Sequence, residues 1–217
     1  MSFRTYDFEP KNGKPPTSAV IFLHGVGSNG RDLISLAPLL AEALPHTVFI
    51  SPDAPFEYDA APGYEGMHQW FSLSDRAPEK MLAGLRNAQP LVDELIDNVL
   101  AKYALDASKL ALFGFSQGTM TSLFVGARRK EKIAAIVGCS GALLAGETLS
   151  AEATAKPDIC LIHGEDDDVV PFAAMAKAES ILKENGFIVE SHARPGLPHS
   201  IDLDGIETAK KFLAARL

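Results

Sequence analysis

The chain has 217 residues, 47% of them apolar and 22% charged, and 20 Lys and Arg against 28 Asp and Glu leave a net charge of −8. This is ordinary globular usage, which excludes a disordered chain or a fibrous repeat. The acidic balance argues against nucleic-acid backbones and anionic lipid surfaces as partners, and no apolar run approaches the ~20 residues that a membrane span needs.

Residues 3–8 alternate weakly and read as an antiparallel edge strand. Residues 19–23 are continuously apolar and stop at His24-Gly25, the pattern of a strand buried on both faces. Residues 31–44 carry Leu33, Ile34, Leu36, Leu39, Leu40 and Leu44 at near-helical spacing, which predicts a helix. A second buried strand at 47–50 is followed by an irregular stretch, 53–76, rich in Pro, Gly and aromatics. Residues 79–103 form a long helical pattern that Pro90 is expected to kink or divide. A strand at 109–115, a helix at 117–128, and strands at 133–137 and 159–162 follow. A helix at 172–183 ends in Asn185-Gly186, then come a strand at 187–192 and a closing helix at 202–217. Strands alternating with helices predict a single α/β domain over residues 1–217, with a mostly parallel sheet covered on both faces.

The N-terminus has no apolar stretch of the signal-peptide kind, so a cytoplasmic location is expected. Cys139 and Cys160 sit in or beside apolar runs and read as free buried thiols. No His or Cys pair has metal-ligand spacing, and neither a metal nor a cofactor is expected. Gly25, Gly27 and Gly30 do spell a dinucleotide-binding spacing, but His24 before them and the motif described next argue against it.

That motif is Gly114-Phe115-Ser116-Gln117-Gly118, lying between a strand and a helix. In this context it is a nucleophile elbow, a turn so tight that it projects the serine hydroxyl above the sheet. A serine needs a base, and the base an orienting acid, in the chain order Ser, Asp, His. His199 stands in a Gly/Pro loop before the last helix and is preferred over His192, which belongs to a strand. Glu165, Asp166, Asp167 and Asp168 follow the strand at 159–162, and the residues alone do not choose among these acids. Leu23-His24-Gly25-Val26-Gly27 lies where this fold places half of an oxyanion hole, so the N–H groups of Val26 and Gln117 are the expected donors. His24 itself reads as a residue that orders the loop.

Together these segments, with Ser51-Pro52-Asp53-Ala54-Pro55, Trp70-Phe71 and Val169-Val170-Pro171, resemble the acyl-protein thioesterase, lysophospholipase and carboxylesterase family. The resemblance runs nearly end to end. It implies an α/β-hydrolase fold without a separate lid domain. The family pattern His-Gly-x-x-Asp-x-x-Val-Pro, laid on residues 163–171, implies Asp167 as the triad acid. The triad is then Ser116, Asp167 and His199. The resemblance also implies that Trp70 and Phe71 flank the site, and the long loops holding them and Leu143 and Leu144 are expected to wall an acyl pocket. The implied activity is hydrolysis of short- to medium-chain carboxylic esters or thioesters, with lysophospholipase or acyl-protein thioesterase activity as the alternative and a non-catalytic binder as the rival class. The expected partner is a small ester, and a homodimer is a family-level expectation. A dienelactone hydrolase would carry Cys at position 116, and a peptidase would need a larger cap.

Overall fold

The computed structural model describes residues 3–217. Its centre is a seven-stranded sheet, here numbered in chain order: β1 (Thr5–Phe8), β2 (Ser18–Leu23), β3 (Thr47–Pro52), β6 (Leu110–Phe115), β7 (Ala135–Cys139), β8 (Asp158–Gly164) and β9 (Val189–Arg194). The spatial order is β1-β3-β2-β6-β7-β8-β9. Only β1 runs antiparallel, with Thr5 opposite Pro52 and Phe8 opposite Phe49. The other pairs are parallel, as buried apolar strands joined by helical crossovers require. A two-stranded ribbon, β4 (Phe56–Glu57) with β5 (His68–Gln69), lies inside the stretch expected to be irregular.

Alternation along β2 divides the core. Ala19, Ile21 and Leu23 point to one face, whose core also holds Leu85, Val92, Ile96, Leu123, Phe124, Met175 and Leu182 from α3 (Pro78–Tyr103), α4 (Gln117–Arg128) and α6 (Ala173–Glu184). Val20 and Phe22 point to the other face, toward Leu33, Leu40, Ile206, Phe212 and Leu213. These come from α1 (Gly30–Leu33), α2 (Ala37–Leu40) and α7 (Leu203–Ala214). The helix expected over 31–44 is broken into α1, a single 3₁₀ turn and α2. Pro38 is the cause: lacking an N–H, it fits best in the first turn of a helix, and α2 restarts around it. Pro90, by contrast, does not divide α3, which runs unbroken for 26 residues and stops at Ala104 in a left-handed cap. A short α5 (Leu149–Glu152) lies within the loop that follows β7. Among the described residues, no helix is long and apolar enough to cross a membrane.

Candidate active site

The site is built at the ends of the parallel strands. Ser116 lies between β6 and α4 with φ 53° and ψ −114°, a conformation that costs a non-glycine residue free energy. The surroundings hold it there: its N–H donates to the Cys139 carbonyl at 2.9 Å, and its carbonyl accepts from Met120 at 3.2 Å. Gly118 permits the turn, because a Cβ there would overlap the backbone of Leu23 at the end of β2. The start of α4 is thereby pressed against the loop that begins at His24.

Beyond β8, the ambiguity among the four acids has a spatial answer. Glu165, Asp166 and Asp168 are exposed, whereas Asp167 is 7% exposed. Asp167 Oδ1 accepts from the N–H groups of Val169 at 3.0 Å and Val170 at 2.8 Å. Its Oδ2 lies 2.8 Å from His199 Nδ1. Desolvation raises the Asp167 carboxyl, but the hydrogen bonds from His199, Val170 and Val169 outweigh it, so the group sits below its ordinary range and stays ionised. An ionised carboxylate only accepts, so His199 Nδ1 carries the proton and Nε2 is left as the basic nitrogen.

The loop holding His199 is tied at several points. Its Leu197 carbonyl accepts from Asp166 N–H at 3.1 Å, and it packs so tightly on Gly164 that a Cβ there would collide with Leu197. Arg194, at the end of β9, pairs with Asp202, which also caps α7 by accepting from Gly205 N–H at 2.8 Å. The His199 ring lies 5.0 Å from that of Phe115, next to Ser116. His192 is paired with Ile162 within the sheet, away from this loop.

On the other side of Ser116, the Val26 N–H has no backbone acceptor among the described residues, and the Gln117 N–H, first in α4, is one of the donors a helix start leaves unpaired. Trp70 and Phe71 lie deeper than a pocket wall would. They are 0% and 2% exposed, inside the core cluster. Leu143 and Leu144 are half-buried against the same cluster. A cavity of about 800 Å³ opens at the β1–β3 edge, where Tyr64, Met67 and His68 from the long loop meet Arg4, Asn29 and Arg31.

The whole arrangement has known counterparts. A model of the family described as Phospholipase/Carboxylesterase matches residues 9–217. The chain belongs to that family. Acyl-protein thioesterase 1 of Neurospora crassa is 30% identical over 93% of this chain and 87% of its own length. The protein of the same name from Yarrowia lipolytica is 30% identical, with 91% of each chain covered. Among solved structures, esterase PE8 superposes with a TM-score of 0.93 at 35% identity, covering both chains completely. Acyl-protein thioesterase 2 of Zea mays gives 0.77 at 25% identity, over 99% of each chain. The fold is thus that of the α/β-hydrolases, and the protein is an enzyme of the esterase and thioesterase group of serine hydrolases.

The grip of Gln117 and the depth of Trp70 escaped the sequence, whereas His163, just before the acidic loop, reads from the sequence as a residue that orders that loop. The Gln117 side chain is buried and grips the Trp70–Phe71 segment. His163 places Nε2 at 2.9 Å from the Val170 carbonyl and 3.2 Å from Asp167 Oδ2. A carbonyl only accepts, so this nitrogen carries a proton that also faces the carboxylate. Trp70 is a buried strut between loops. The motif containing each residue was visible, but side-chain direction within it was not.

Proposed function

We propose that this enzyme hydrolyses short- to medium-chain carboxylic esters and thioesters through an acyl-enzyme on Ser116, with His199 as base and Asp167 as the acid that orients it. The observation that carries the reading is the buried, ionised Asp167 held 2.8 Å from His199 Nδ1, at the same end of the parallel strands as the strained Ser116. His199 Nε2 takes the Ser116 proton as Oγ attacks the acyl carbon. Negative charge grows on the carbonyl oxygen, where the N–H groups of Val26 and Gln117 receive it. Collapse breaks the C–O or C–S bond, and the leaving group departs with the proton from His199. Water then repeats the sequence: its proton passes to His199, its oxygen attacks the acyl-enzyme, and Ser116 leaves reprotonated with release of the carboxylic acid.

Ser116→Ala should abolish p-nitrophenyl ester hydrolysis and labelling by a fluorophosphonate. Labelling that survives the substitution refutes the assignment. The acyl-protein thioesterase names of the fungal relatives, and the phospholipase in the family's description, support a second reading, action on long-chain acyl-proteins or lysophospholipids. A p-nitrophenyl ester series from acetate to palmitate separates the two, since a maximum at the long end favours the second.

A further inference from the structure

Six buried residues form one hydrogen-bonded network that reaches the peptide units of both expected oxyanion donors. Gln117 Oε1 accepts from the Trp70 N–H at 2.8 Å, and Gln117 Nε2 donates to the Phe71 carbonyl at 2.7 Å. The Trp70 indole Nε1 donates to the His24 carbonyl at 2.9 Å. His24 Nδ1 lies 2.7 Å from the Gly25 carbonyl, and its Nε2 accepts from the Ala54 N–H at 2.9 Å. These two contacts fix the tautomer, because a carbonyl cannot donate and an amide N–H cannot accept. Gln117, Trp70 and His24 are each at most 1% exposed.

The Gly25 carbonyl and the Val26 N–H belong to one planar peptide unit, in which they point in opposite directions. A bond that holds Gly25 O therefore also aims the Val26 N–H. Likewise, a clamp on the Gln117 side chain restrains the residue whose own N–H is the second donor. The Trp70 indole joins the two halves. Such pre-orientation matters because oxyanion donors act by being aimed before charge develops, without reorganisation during the reaction.

We propose that His24, Trp70 and the Gln117 side chain are positioning residues, a rigid brace that aims the Val26 and Gln117 N–H groups at the oxyanion. This rests on the serine-esterase reading above. The brace touches no substrate, so it acts on transition-state stabilisation and leaves ground-state binding alone.

The test uses the full-length enzyme and a p-nitrophenyl ester. Trp70→Phe keeps an aromatic ring and removes the indole donor; kcat should fall about tenfold with KM within about twofold, less than the 10²–10³-fold cost of losing a donor outright. His24→Leu should cost about 10²-fold in kcat. His24→Asn, whose Nδ2 can take the place of Nδ1, should recover most of that loss. Affinity for an alkyl boronic acid, which mimics the tetrahedral state, should fall in step with kcat/KM across the set. If His24→Leu does not fold, Trp70→Phe still decides the matter. A folded Trp70→Phe enzyme with unchanged kcat, or with its loss confined to KM, overturns the brace. Activity surviving in Ser116→Ala would instead overturn the serine mechanism, so the two failures are distinct.

Discussion

His24 should make stability fall in mild acid. Its imidazole is fully buried, and desolvation is the chief cause that holds its pKa at about 4, against 6.5 for a free histidine. The nearby His68 lowers it further, while the Gly25 contact, Asp53 and Asp32 oppose the shift. The unfolded chain therefore takes up this proton below about pH 6.5 and the folded chain only near 4. Stability rises with pH wherever the unfolded state binds more protons, so this contribution is complete above pH 6.5 and lost as pH falls toward 4. Linkage gives a loss of about 2 kcal/mol between pH 7 and pH 5, and about 3 kcal/mol by pH 4. The geometry explains the sign: a protonated Nε2 would face the Ala54 N–H with no acceptor to offer. The assay is urea unfolding of wild type and His24→Asn at pH 7, 6 and 5. The variant removes the titration and keeps a donor toward Gly25, so groups titrating elsewhere cancel in the comparison. Wild type should lose about 2 kcal/mol more than the variant between pH 7 and pH 5. Parallel curves would refute the reasoning and mean that His24 is no harder to protonate in the fold than outside it.

Asp167→Asn should lower kcat by about 10³- to 10⁴-fold, because an amide cannot hold His199 with its proton on Nδ1. Asp166→Asn and Asp168→Asn, at exposed positions, should stay within about twofold of wild type, and equal losses at all three would refute the choice of acid. His163→Phe should reduce kcat about tenfold by removing one donor that faces Asp167, and His163→Gln should restore it; an unchanged kcat in the Phe variant counts against that role. Gly118→Ala sets two effects against each other: helix propensity favours alanine by about 1 kcal/mol, whereas the new Cβ meets the fixed backbone of Leu23. The clash should win and lower Tm; a raised Tm would mean that α4 can shift away from β2.

What was legible in the sequence follows from periodicity and from turns with strict backbone demands. Buried parallel strands announce themselves as apolar runs, so residues 19–23 anticipated β2 within a residue. The elbow was equally legible, since few backbone geometries need a serine between glycines where a strand meets a helix. Periodicity failed at 31–44, where leucines kept helical spacing through a segment that Pro38 forces to restart. It failed differently at 133–137. The apolar run begins two residues before β7, because register with β6 and not hydropathy sets where pairing starts.

The site was legible one residue at a time, and its connections were not. Four successive acids look alike as letters; what singles out Asp167 is two backbone donors and two imidazoles converging on one buried carboxylate. Trp70 shows the same limit from the other direction. An aromatic beside the site reads as a wall for substrate, yet its ring is buried and its N–H is spent on the His24 carbonyl. The elbow costs free energy at Ser116, and an oxyanion loop rich in glycine costs backbone entropy to hold still. A dense set of buried hydrogen bonds beside both offsets those costs, which places the polar groups of His24, Trp70 and Gln117 next to Ser116 and not at random through the core.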